Sequence, residues 1–229
     1  MKKVPSARLL VFAKAPVPGR VLTRLAPALD ARDRARLHMR LTAATLERLA
    51  GAGPWRTHLY AAPPAGDPFL RACARRHRIP LRPQRGRDLG ERMRRALEEA
   101  LAGGGPAVLV GTDLPERGPE SVAAAFRALA EGADAVLQPT ADGGYGLVGL
   151  SRPLPGLFRD IPWGTERVAA VSRERLRATG AEWRDLPATW DVDRPEDLAR
   201  LDPALLRGLT PKSRPLARPA REAPCGSGP

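Results

Sequence analysis

Ala107–Thr140, "AVLVGTDLPERGPESVAAAFRALAEGADAVLQPT", reads as three successive pieces. Ala107 to Val110 is a short continuous apolar run with a polar end, the pattern of a strand covered on both faces. "PESVAAAFRALAEG" has helical composition behind a proline at a first-turn position, and "DAVLQPT" is a second apolar strand. Strand, helix and strand in sequence require a crossover connection, so the segment predicts a layered α/β fold with a mainly parallel sheet. In such folds ligands gather beyond the carboxyl ends of the strands, and that directs the search for chemistry.

Outward from this unit the alternation continues. "RLLVFA", Arg8 to Ala13, predicts a first strand. Asp30 to Ala50 predicts a helix capped by Asp30, and "WRTHLYAA", Trp55 to Ala62, alternates as a strand. Asp67 and Pro68 open a further helix that returns through "RIPLRPQ". From Asp88 a helix carries Leu89, Met93, Leu97 and Leu101 on one stripe and stops at three glycines. After Leu150 the pattern loosens into a loop with Trp163 and Gly164, a helix, a short strand and a last helix at "DVDRPEDLARL".

With 229 residues and 43% hydrophobic content, one single-core domain over residues 1–207 is expected. Residues 208–229 are rich in Pro, Arg, Ser and Gly without periodicity, a composition that predicts a disordered basic tail. No apolar run is long enough to span a bilayer, and the basic N-terminus leads into prolines instead of a cleavage site, so it reads as a first strand. Cys73 and Cys225, the only cysteines, support no disulfide framework, which fits a reducing cytoplasm. The net charge of +13 raises the alternative of a non-catalytic polyanion-binding protein, but the cations are spread over the chain and aromatics make up only 4%, so no specific nucleic acid is expected. Oligomeric state is not legible.

Four clusters fall at expected strand ends or at a helix start. Lys14, Arg20 and Arg24 surround Pro16, Pro18 and Gly19 in a stiff loop suited to phosphates, or merely solvated and basic. Asp113 leaves the end of an apolar strand, as a metal-binding carboxylate or as a turn cap. Asp142, Gly143 and Gly144 make a tight turn that brings backbone amides to a substrate or simply closes a hairpin, and Tyr145 offers a hydroxyl or a stacking face. Asp191 and Asp193 flank Val192, so in an extended segment both face one side as a hard-cation site, while Pro195, Glu196 and Asp197 equally mark a capped helix start. His38, His58 and His77 have no partner at metal or triad spacing, and no Gly-x-Ser-x-Gly element is present.

Taken in order, "FAKAPVPGRVLTRLAP", "QRGRDLGERMRRAL", "VGTDLPE", "ADGGYGLVGL", "WGT" and "DVDRPEDL" resemble the GT-A-fold glycosyltransferases of arsenosugar biosynthesis. That family belongs to the nucleotide-diphospho-sugar transferase superfamily and is related to molybdopterin and phospholactate guanylyltransferases. The resemblance implies a three-layer α/β/α GT-A fold with a mainly parallel mixed sheet. It implies nucleotide and phosphate binding by Lys14, Gly19, Arg20 and Arg24, with Gln84, Asp88 and Arg92 in a second nucleotide-side motif. It implies Mg²⁺ or Mn²⁺ on Asp113 and Asp193, with Asp191 beside them. Asp142, Gly143, Gly144, Tyr145 and Trp163 fall on the acceptor side, and Asp142 is the candidate base. The implied activity is transfer of a sugar from a nucleotide-diphosphate sugar to a small acceptor, with nucleotidyl transfer to a phosphorylated metabolite as the alternative. Where the family loop usually reads Lys-Thr-Arg, this chain has Leu22, Thr23 and Arg24.

Overall fold

The computed structural model describes residues 7–62 and 66–212. Seven strands form one sheet in the order β3-β2-β1-β4-β6-β5-β7. These are β1 Ala7–Ala13, β2 Trp55–Ala61, β3 Leu81–Pro83, β4 Ala107–Val110, β5 Ala135–Pro139, β6 Tyr145–Leu150 and β7 Trp183–Asp185. Every neighbouring pair is parallel except those made by β6, which runs antiparallel between β4 and β5. The parallel strands therefore deliver Lys14, Gln84, Gly111 and Thr140 to one edge of the sheet.

Alternation along each strand sorts the core into two layers. Leu9, Val11 and Ala13 join Leu59, Val108 and Val136 on one face, under α1 Ala31–Leu49, α2 Pro68–His77 and α4 Pro119–Ala130. Leu10 and Phe12 point oppositely, with Leu109 and Leu137, under α3 Leu89–Leu101 and α5 Val168–Ala178. The result is the three-layer α/β/α arrangement with a mixed, mostly parallel sheet. The helix starts are as the sequence predicts: the Asp30, Asp67 and Asp88 carboxylates each accept a first-turn N–H, satisfying an otherwise orphaned donor. One stripe differs. Leu89 is exposed, and α3 packs instead through Met93, Ala96, Leu97 and Ala100, the three- and four-residue spacing in which two alanines admit the sheet closely.

A third apolar cluster lies off the sheet. Leu25 and Leu29 of the opening loop meet Leu37 and Leu41 of α1, together with Trp190, Val192, Leu201 and Leu209. The expected last helix is here a 3-10 turn, Pro195–Arg200, followed by the short α6 Pro203–Leu206. Of the expected tail, residues 208–212 pack onto this cluster: Leu209 is buried, and the Lys212 N–H donates to the Ala28 carbonyl at 2.7 Å. The remainder, 213–229, lies outside the described residues. Among the described residues no helix is long and apolar enough to cross a membrane.

Leu37 is fully buried where α1 receives both the opening loop and the C-terminal segment. Leu37→Ala is expected to lower unfolding stability by about 2–5 kcal/mol, read as a lower urea midpoint with an unchanged m-value.

Candidate active site at the strand ends

The opening loop leaves β1 at Lys14 and is held from below by α1. His38 of α1 is buried, and its Nε2 lies 3.0 Å from the Lys14 carbonyl. A carbonyl only accepts, so that nitrogen carries the proton, and burial lowers the His38 pKa and keeps the ring neutral. Arg34, also buried, reaches the Leu22 and Thr23 carbonyls at 3.4 and 3.3 Å. Leu22 has φ 46°, a left-handed conformation costly for a branched side chain. Its side chain packs against the third apolar cluster, which compensates. At the position where a cation was expected, the chain has an anchor. Lys14, Gly19 and Arg20 lie exposed along the rim.

Arg24, two residues beyond the anchor, reaches across the site. Its Nη1 donates to Asp193 Oδ2 at 2.7 Å and its Nη2 to the Gly164 carbonyl at 2.9 Å. Asp193 accordingly holds the Arg24 guanidinium pKa above its usual value. The Val192 N–H donates to the Asp113 carbonyl at 2.9 Å, which brings together two segments far apart in sequence. Trp190 and Val192 are buried while Asp191 and Asp193 are only half-buried, the alternation expected of an extended segment. Asp197 caps the following turn by accepting the Asp193 and Arg194 N–H groups.

Asp142 completes the acidic group. The turn from β5 into β6 is a hairpin, with the Gly143 N–H donating to Thr140 O and the Thr140 N–H to Gly144 O. Asp142 Oδ1 accepts from the Thr140 hydroxyl at 2.5 Å and from the Gly144 N–H at 2.9 Å. Gly143 has φ 86°, and a Cβ there would stand 2.1 Å from the Glu166 carbonyl, so the turn and the start of α5 approach as only glycine permits. The hairpin and the site are thus one structure. Burial first, then the charges of Asp113, Asp142 and Asp193, push the Asp191 carboxyl up to about 7.

Other expected site residues are engaged within the fold. Gln84 is buried, its Nε2 donating to the Tyr60 carbonyl at 2.9 Å. Asp88 caps α3 and lines a separate cavity of about 400 Å³ with Arg94 and Arg159. Arg92 Nε holds the Gly86 carbonyl at 3.1 Å. The Tyr145 hydroxyl is buried beside Ser172, and its ring meets Trp163 edge-on at 6.2 Å. Two cavities of about 260 and 700 Å³ share Ala141, Asp142 and Arg194 and open over the carboxylates. Among the described residues no three His, Cys, Asp or Glu side chains form a ready metal cage. Sequence reasoning passed over His38, Arg34, Arg167 and Arg194. Only His38 left a signal, the polar row His38, Thr42 and Thr45 on one face of α1, which meets Lys14 and Thr112.

Two outcomes follow from the geometry. Gly143→Ala is expected to cost at least ~2 kcal/mol in thermal or urea unfolding through strain and the clash with Glu166. Asp191, raised in the fold, is ionised in the unfolded chain from about pH 4 upward but in the folded protein only near pH 7. The metal-free protein should therefore lose stability as pH rises between those values, and Asp191→Asn should flatten that part of the Tm profile and raise Tm at pH 8.

A family described as "Uncharacterized protein conserved in bacteria (DUF2064)" matches residues 45–165. A Desulfovibrio desulfuricans G20 protein, assigned by name alone to the nucleotide-diphospho-sugar transferases, superposes with TM-score 0.73 at 33% identity over 82% of each chain. A cytidylyltransferase from Leptospira borgpetersenii superposes with TM-score 0.60 at 13% identity, over 85% of this chain and 84% of that one. Glucosyl-3-phosphoglycerate synthase from Mycobacterium tuberculosis, in complex with Mn²⁺, UDP and glucosyl-3-phosphoglycerate, gives 0.53 at 13% identity, over 86% of this chain and 75% of that one. The last two show the fold alone. No curated protein matches the chain. The matches support a GT-A-like superfamily fold and single out no arsenosugar-biosynthesis family. With its family model covering half the chain and a 33% identical relative sharing the fold, this protein belongs to the DUF2064 family, within the GT-A-like fold of nucleotidyltransferases and nucleotide-diphospho-sugar transferases.

Proposed function

We propose that the protein is a metal-dependent glycosyltransferase that moves a sugar from a nucleotide-diphosphate sugar to a small acceptor. The observation that carries this reading is the meeting of Asp113 with the Asp191–Asp193 segment through the Val192 N–H, beside Arg24 at the strand ends. The resemblance of the motifs to glycosyltransferases of arsenosugar biosynthesis and the 33% identical relative favour a sugar donor.

The donor set fits Mg²⁺ or Mn²⁺ held by Asp113 and Asp193. Such ions take one or two carboxylates and complete their shell with substrate phosphates, so no all-protein cage is required. Bound there, the ion would neutralise the diphosphate leaving group. Lys14, Arg20 and Arg24 supply the remaining positive charge, and Gly19 at φ 82° lets the backbone approach the ligand. Arg24 exchanges its bond to Asp193 for the phosphates, which frees that carboxylate. With Leu22 turned into the apolar cluster, the loop offers no fourth cation, a charge suited to a diphosphate over a triphosphate. Thr140 and Gly144 fix one oxygen of Asp142 and leave the other to take the proton of the acceptor hydroxyl.

A thermal-shift panel of nucleotides and nucleotide sugars with and without Mn²⁺ tests the proposal. One diphosphate nucleotide should raise Tm only with the metal, and Asp113→Asn should abolish that shift while leaving the apo Tm within a few degrees. In turnover assays, release of pyrophosphate from a nucleoside triphosphate without sugar transfer would establish nucleotidyl transfer instead. Salt-sensitive binding of nucleic acid with no nucleotide response would support a polyanion-binding protein.

A further inference from the structure

The larger of the two cavities over the acidic group is walled by the β5–β6 turn, by the loop entering α5, and by Arg194. Three guanidinia face it, and they are not equivalent. Arg24 is engaged by Asp193 and the Gly164 carbonyl. Arg167 and Arg194 make no side-chain hydrogen bond or ion pair among the described residues, although both backbones are fixed. The Arg167 N–H donates to Thr165 Oγ1 at 3.3 Å and the Arg194 N–H to Asp197 Oδ2 at 2.7 Å. The two come from different elements onto one volume of about 700 Å³. Two carboxylates share this wall, Asp142, one of whose oxygens accepts from Thr140 and Gly144, and Glu166, and among the described residues neither forms an ion pair with Arg167 or Arg194.

A neutral acceptor would gain little from two unpaired arginines. A cationic one would be drawn to Asp142, Asp191 and Asp193 but repelled from the wall. An anion brought beside those carboxylates needs cations between, and Arg194, next in sequence to Asp193, stands at that boundary. Guanidinia present forked donors to planar or tetrahedral oxyanions.

We propose that this cavity is the acceptor subsite and that Arg167 and Arg194 bind an anionic group on the acceptor, a phosphate or a carboxylate. The word acceptor rests on the transferase reading above; the anion site is measured independently of it. The probes are glycerol 3-phosphate, glycerate and glycerol, which share a three-carbon skeleton and differ in charged group, titrated calorimetrically into the full chain. At least one of the two anions should bind and glycerol should not, and which anion binds distinguishes phosphate from carboxylate recognition. Arg167→Ala and Arg194→Ala should each weaken binding about tenfold, with Arg167→Lys recovering part of it. Arg71→Ala, an equal loss of charge on the distant α2, should leave it within twofold.

Parallel titrations of UDP with Mn²⁺ separate the two readings. Retention of nucleotide binding in both alanine variants supports a distinct acceptor subsite, whereas its loss would assign the cavity to the donor and overturn the proposal. Unchanged anion affinity in both variants, an equal effect of Arg71→Ala, or equal binding of glycerol would also overturn it. If the unaltered protein binds no nucleotide with metal, the transferase reading fails, while the anion titrations still decide whether Arg167 and Arg194 form a site.

Discussion

Burial of Val192 is the constraint on which the candidate site depends. The side chain is sealed among Leu25, Leu37, Leu41 and Trp190, and its N–H is spent on the Asp113 carbonyl. With residues 190 and 192 turned inward, Asp191 and Asp193 are left towards the strand ends. An apolar contact thus positions charges that would repel one another if free to separate. Arg24 is drawn into the same arrangement because Leu25, next to it, belongs to the same cluster. The packing energy of leucines and a valine offsets the electrostatic cost of gathering four carboxylates.

Much of the fold was legible because its determinants are local. The apolar runs of β1, β4 and β5, the capping aspartates and the glycine stops each act within a few residues, and the structure follows them closely. The α3 stripe was misread at Leu89 because periodicity alone does not tell where the sheet ends; Ala96 and Ala100 face the core there, and the first turn extends past it. Of the site, residue types at strand ends were readable, but their alliances were not. That Arg24 pairs with Asp193 over 169 positions, or that His38 holds the Lys14 carbonyl, is decided by tertiary packing.

Motif residues also have structural partners of their own. Gln84, Asp88 and Arg92 occupy a motif, yet in this arrangement their side chains bind the Tyr60 carbonyl, cap α3 and hold Gly86. Tyr145 illustrates the reverse risk of reading a polar residue as a surface group: its hydroxyl lies within the core beside Ser172. The Asp-Gly-Gly turn closes a hairpin through the left-handed Gly143 and at the same time lines the cavity over the carboxylates.

The third apolar cluster has a consequence for the order of events during synthesis. It joins a loop made within the first thirty residues to Trp190, Val192, Leu201 and Leu209. While the ribosome is still adding those later residues, the sheet core from β1 to β6 can already be collapsing, but Leu22 and Leu25 have only Leu37 and Leu41 of α1 to close against. The emerging chain passes through a stage with strands in place and the strand-end rim still open, so the candidate site is completed only when Trp190 to Leu209 have been made.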